Sequence, residues 1–247
     1  MTVPLRIGLL CLCLLPAFAA PAQSFGDRLK AILSGSGAKL TESDAAGGIR
    51  EALANGIEKA VSRLGRQDGF FADQAVKILV PKKLRKITDT ARNFGFDKQV
   101  DAFELSMNRA AESAVPKAAN ILGDAVRAMS MEDAIGLVKG GETAATDYFR
   151  RTSESSLRDA FLPIVAKQTA GTGVTQRYKS IAGAVTENPL SAALLGDRQR
   201  TIDLDSYVTD KAIDGLFQAI AEQEREIRAN PAARTTSLLK KVFGGGK

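Results

Sequence analysis

The chain contains no histidine and no tryptophan, and aromatic residues make up only 6% of it. Without imidazole there can be no Ser-His-Asp triad, Cys-His pair, His-ligated metal or histidine proton shuttle. The chemistry left open is carboxylate acid–base work, a Ser-Lys pair, a Tyr or Lys base, or an all-oxygen metal site. Cysteine is nearly absent, occurring only as Cys11 and Cys13. Long apolar runs are missing as well. Residues 7–15, apolar apart from Gly8, fall far short of the roughly 20 residues that a spanning helix requires.

That short run follows Arg6 and leads into Ala17-Phe18-Ala19 and Ala20-Pro21-Ala22, two small-residue exits of the kind a signal peptidase reads. Residues 1–22 are therefore expected to be a signal peptide, cleaved before Gln23, with cleavage before Ala20 as the alternative. Cys11 and Cys13 each follow a leucine rather than the small residue of a lipid-attachment site, and read as leader filler. The expected product is a periplasmic chain without disulfides and without a transmembrane helix. Removing 22 of 247 residues leaves 225, enough to bury a substantial core by packing alone. Lys+Arg falls from 34 to 33 against Asp+Glu 28, a net +5. This mild excess lacks the clustering and aromatic interleaving of a nucleic-acid surface, so no nucleic-acid partner is expected.

Beyond the leader, apolar spacing predicts an all-α chain. Residues 23–40 form a flexible or short-helical lead-in that includes Ser34-Gly35-Ser36-Gly37, and residues 41–247 form a single helical domain. Thr41 with Asp44 resembles a capping box ahead of a stripe at Ile49, Leu53, Ile57, Val61 and Leu64, closed by Gly65. Val76, Ile78 and Val80 alternate as in an extended segment, read as a connection lying across helices because one strand makes no sheet. Pro81 suits a first helical position before Leu84, Ile87, Ala91 and Phe94, with Gly95 as the stop. A helix from Asp97 buries Val100, Phe103, Met107, Ala110 and Ala114. Pro116 breaks it, and the next carries Leu122, Val126 and Met129. Ser130 with Asp133 starts a short helix ending at Gly140-Gly141.

Thr143 then caps a turn holding Tyr148 and Phe149, followed by two longer helices, one with Leu157, Phe161 and Val165, the other with Tyr178, Ile181 and Val185. After Asn188-Pro189 comes an irregular stretch. A long helix from about Ser206 to Ala229 has Asp205 as its N-cap and a favourable Glu224–Arg228 pair. A last helix carries Leu238, Leu239, Val242 and Phe243. No fixed-period repeat is present.

Lys82, Lys83, Arg85 and Lys86 set four cations in the first turns of one helix, either a solvated face or a face for anionic lipid. Gly140-Gly141-Glu142-Thr143 precedes Asp147, Tyr148, Arg150 and Arg151, but lacks the Lys-Ser/Thr ending of a phosphate loop. Asp203, Asp205 and Asp214 fall at calcium-loop positions one, three and twelve, yet Val208 replaces the required glycine, so no metal site and no cofactor is expected. Glu112-Ser113 and Glu154-Ser155 resemble the glutamate–serine start of a lytic transglycosylase site. Nothing else of that pattern follows, and each glutamate reads as a surface residue, with Glu112 the weak catalytic candidate.

Three longer words carry a family resemblance: Asn108-Arg109-Ala110-Ala111-Glu112, Thr143-Ala144-Ala145-Thr146-Asp147-Tyr148-Phe149-Arg150, and Asn230-Pro231-Ala232-Ala233-Arg234-Thr235-Thr236. With residues 173–179 and 203–217, they make the chain resemble the exported proteobacterial family known as domain of unknown function 4197. The resemblance implies a Gram-negative envelope location and a helical fold, and it brings no activity or catalytic residues.

The sequence therefore points to a non-enzymatic binding protein for an envelope protein, lipid or other amphiphile. Asp147, Tyr148, Arg150, Arg177 and Tyr178 are the candidate ligand-binding group, since tyrosines stack and arginines bind anions. The rival readings are a carboxylate hydrolase or lyase using Glu112 on an envelope polymer, and peripheral attachment to anionic membrane through residues 82–86.

Overall fold

The computed structural model describes residues 42–171, 176 and 203–229. Helices dominate it: α1 (Glu42–Leu64), α2 (Lys82–Asn93), α3 (Asp97–Ala114), α4 (Ala118–Ala128), α5 (Met131–Lys139), α6 (Ala144–Gly171) and α7 (Leu204–Ala229). A short 3-10 turn, Val115–Lys117, joins α3 to α4 around Pro116. No strand occurs among the described residues. None of these helices is long and apolar enough to cross a membrane. The expected helices around Tyr178 and Leu238 lie outside the described residues.

The predicted stripes are buried, fully in α3, with two corrections elsewhere: Leu53 of α1 and Ile87 of α2 are only half-buried, and Phe94, expected to close the α2 stripe, is 41% exposed because it lies past the end of the helix. Phe103, Met107, Ala110 and Ala114 of α3 meet Phe149, Leu157 and Phe161 of α6 and Leu216 and Phe217 of α7 in one shared core. α6 and α7 pack along each other; α1 lies against α7, α4 and α5, and α3 lies against α6 and α7. α2 sits at the edge and packs chiefly on α3. The expected turn at Tyr148 and the helix after it are one continuous helix, α6. Pro163 lies inside α6 at an exposed position and does not end the helix.

Several helix ends differ from expectation by their partners. Gly65 is not a left-handed cap; its amide still bonds Val61 C=O at 2.8 Å, and a Cβ there would stand 3.0 Å from Pro116 Cγ. The left-handed residue after α1 is Asp68, at φ 64°, whereas Gly95 at φ 83° closes α2 as its spacing suggests. Pro81 is the N-cap of α2 rather than its first residue. Ser130 and Asp133 form a complete capping box on α5. At α7 the cap is Asp203 instead of Asp205, with its carboxylate accepting from Ser206 N at 3.0 Å and Ser206 Oγ at 2.7 Å. Those bonds hold the Asp203 carboxyl below its ordinary pKa. Asp205 accepts from Thr169 Oγ1 at 2.6 Å, tying α7 to α6.

Val76 ends a turn, its amide and that of Lys77 bonding Asp73 O at 3.1 and 2.8 Å, and residues 77–80 then run without a helix or a partner strand among the described residues. Val76, Ile78 and Val80 point inward, while Leu79 is 48% exposed. α7 approaches this segment at Gly215, where a Cβ would come within 2.7 Å of Phe70 Cε1 and 3.2 Å of Val76 Cβ.

Candidate functional site

The polar words of the sequence turn out to hold backbone. Asn108 of α3 uses its side-chain amide as a neighbouring strand would: Oδ1 accepts from Ile78 N at 2.8 Å and Nδ2 donates to Ile78 O at 2.9 Å. One turn later Glu112 Oε1 accepts from Phe70 N at 3.1 Å and Phe71 N at 3.2 Å. Its other oxygen accepts from Arg109 at 2.6 Å, and Arg109 also donates to Asp68 at 2.7 Å. One turn earlier, Glu104 pairs with Lys77 at 2.8 Å, whose ammonium lies 4.4 Å from the Phe71 ring centre. Residues 104, 108 and 112 recur at i, i+4 and i+8, so one face of α3 replaces the missing strand.

Glu112 is thus buried, not the surface residue expected. Its partners are two backbone amides and a guanidinium that themselves sit in the fold, so the carboxylate is engaged as a brace with no second carboxylate bonded to it. Burial without exposure of charge is tolerated here because both oxygens are hydrogen-bonded. The pairing also raises the Arg109 pKa, with the Glu112 bond as the main cause.

A second buried carboxylate starts α6. Glu224 of α7 accepts from Ala145 N at 3.0 Å, Thr146 N at 2.9 Å and Thr146 Oγ1 at 2.8 Å. These are orphan amides of a helix start, and a negative charge there also meets the positive end of the dipole. Thr143, expected to cap this helix, instead donates its hydroxyl to Asp147 at 3.3 Å. The expected Glu224–Arg228 pair forms at 2.7 Å, and Arg228 also donates to Leu137 O at 2.9 Å. Four elements meet at this point: α5, α6, α7 and, across a gap, α1.

The gap is an apolar notch of about 40 Å³, walled by Leu53 of α1, Leu137 and Val138 of α5 and Ile227 of α7, with Glu224 and Arg228 at its polar edge. A smaller hollow of about 10 Å³ continues it past Ile227 toward Phe149. Pockets that enclose whole small molecules measure roughly 300–1,000 Å³. This notch therefore suits the tip of one side chain or alkyl group. Nothing in the sequence singled it out, because its walls come from separate helices.

Of the five residues expected to bind a ligand, three lie on α6. Asp147 is exposed; Tyr148 is half-buried, edge-on to Phe149 with ring centres 5.5 Å apart. Burial raises the Tyr148 pKa, and the Asp133 charge adds to the shift. Arg150 reaches Asp214 of α7 at 3.2 Å and stacks 4.7 Å above the Phe217 ring centre. None of the three lines the notch. Arg177 and Tyr178 lie outside the described residues. Asp214, at the last position of the calcium-loop spacing, pairs with Arg150 and Lys211, and Asp210 pairs with Arg158, across or along the α6–α7 seam. Lys82, Lys83, Arg85 and Lys86 are all exposed on the outer side of α2, opposite Leu84, Thr88 and Ala91.

A family model described as "Protein of unknown function (DUF4197)" matches residues 39–244. No curated protein and no solved structure matches the chain.

Proposed function

Because the chain belongs to this DUF4197 family of proteins of unknown function, its function has to be read from its own geometry, and we propose a non-enzymatic binding protein of the periplasm. Its notch between α1, α5 and α7 receives an apolar anchor group from an envelope partner. The observation that carries this reading is the notch itself: an open apolar hollow with a buried ion pair at its edge, too small for an enclosed substrate. Arg228 and Glu224 give the rim polarity, so the partner group is amphipathic, apolar at its tip and polar behind it. The brace formed by Glu112 speaks against the hydrolase reading, since a general acid needs a face open to substrate.

A photo-crosslinking residue at Leu137 is expected to capture envelope material in living cells, and the same group at exposed Gly136 to capture far less. Ile227→Lys is expected to abolish the Leu137 adducts while leaving helicity intact. Equal adducts at both positions, or none at either, would refute the notch as the binding site. Periplasmic release of a chain whose N-terminus is Gln23 is the matching expectation for the leader; an N-terminus at Met1 would overturn it.

A further inference from the structure

Charge on this chain is unevenly spread. Residues 79–94 hold five Lys/Arg against one Asp, a net +4, when the whole chain carries +6. Arg92 is engaged by Asp97 and Asp101. The four cations that remain, Lys82, Lys83, Arg85 and Lys86, are exposed and enter no ion pair among the described residues. They crowd the end of α2 where the helix dipole is already positive, with no acidic residue in the first turn and no side-chain cap on Pro81. Within the fold this arrangement is repulsive; Asp89, one turn on, is the acidic residue of the helix and forms no ion pair with any of the four.

Apolar side chains stand at both ends of the same helix. Leu79 is 48% exposed and Phe94 41% exposed, two of the few large hydrophobic residues that face solvent. The exposure of Leu79 is fixed by its surroundings: Ile78 and Val80 point inward on either side, and the Tyr207 hydroxyl donates to Leu79 O at 2.9 Å. Arg85 acts electrostatically on Tyr207, which places it beside the start of α7, where Lys211 is paired with Asp214. Among the described helices α2 packs chiefly on α3, which leaves its outer face exposed.

We propose that this face, α2 with Leu79 and Phe94, is a docking surface for an anionic phospholipid bilayer. Charge complementarity selects that occupant: four cations spread over five consecutive residues match an array of headgroups, whereas a single phosphate would need a concave cradle. Leu79 and Phe94 enter the interfacial region, and the lysine stems lie along the surface with their ammonium groups on phosphates. Aromatic side chains do not interleave with the cations, which disfavours a single-stranded nucleic acid.

The test is co-sedimentation of the full chain with phosphatidylcholine vesicles, with and without phosphatidylglycerol. Any contribution of residues 1–22 is common to all variants and cancels in the comparison. Native chain should bind only the phosphatidylglycerol vesicles and dissociate as salt is raised. The combined variant Lys82→Gln, Lys83→Gln, Arg85→Gln and Lys86→Gln should bind at least about tenfold more weakly, with unchanged circular dichroism. Leu79→Ser should weaken binding by a smaller factor without altering its salt dependence. The notch variant Ile227→Lys should leave vesicle binding unchanged, which separates this surface from the notch. Equal vesicle binding by native and quadruple-Gln chains would overturn the proposal. So would absence of binding to phosphatidylglycerol vesicles, or retention on a soluble polyanion such as heparin in place of vesicles.

Discussion

Replacing Asn108 by alanine would leave the N–H and C=O of Ile78 without partners inside a region closed to water. Each unsatisfied buried group costs on the order of 1–3 kcal/mol, so Asn108→Ala is expected to destabilise the fold by about 2–4 kcal/mol, read from urea unfolding. Asn108→Asp tests the donor alone, since its carboxylate can still accept from Ile78 N but cannot donate to Ile78 O. An Asn108→Ala chain as stable as the native one would show that the side-chain amide is not the segment's strand substitute. The acid limb of stability is also set at single residues. Asp203 caps α7 and Asp133 is the carboxylate of the α5 capping box, and their pKa values are lowered by bonds from Ser206 and Ser130 respectively. A lowered pKa in the fold means stability that is present above the ordinary carboxylate pKa and lost as pH falls through the folded value. Asp203→Asn keeps an acceptor for Ser206 N, so its stability near neutral pH should change little. Its unfolding midpoint should fall less than the native one between about pH 5 and about pH 3; parallel curves would remove Asp203 from the acid response.

At the scale of elements, a cap and a brace differ in how visible they are in the sequence. Ser130 and Asp133 were legible because a capping box is local, its partners three residues apart. The stripes of α1 and α3 were legible for the same reason: helical spacing is a local property. The cap of α6 was not, since Glu224 lies 78 and 79 residues from the amides it serves and no periodicity links them. Local spacing shows Glu224 only beside Arg228 on the inner side of its helix, and Glu112 only beside Ser113, so neither carboxylate can be matched from the sequence to the distant amides it serves. Carboxylates used this way should behave as structural parts. Glu224→Ala removes the partners of two amides and a hydroxyl and leaves Arg228 less compensated, at an expected cost of about 2–4 kcal/mol. Amide hydrogen exchange should report where the loss falls, with Ala145 and Thr146 accelerated more than the middle of α6. Uniform acceleration along α6 would mean that Glu224 supports the whole bundle rather than this helix start.

For the whole molecule, the decisive contact is where α7 crosses residues 70–76. Gly215 lies in mid-helix, a position at which glycine ordinarily costs roughly 0.8–1 kcal/mol relative to alanine. Here alanine would be the poorer residue, because its Cβ would stand 2.7 Å from Phe70 Cε1. Phe70 is fully buried and its amide is held by Glu112, so the ring cannot step aside without disturbing α3 as well. Gly215→Ala is therefore expected to destabilise by about 1–3 kcal/mol, the usual range for overpacking. How that loss appears depends on whether the helices unfold together. α3, α6 and α7 share one core with α1 and the extended segment, so a wedge at Gly215 should lower a single midpoint. For a chain of this size the drop is about 2–4 °C per kcal/mol. Circular dichroism and tyrosine fluorescence should give coincident curves in native and variant chains, since Tyr148 and Tyr207 both pack against that core. A Gly215→Ala chain whose tyrosine signal melts ahead of its helicity would instead divide the molecule at the α7 contact, with the brace of α3 failing before the rest of the bundle.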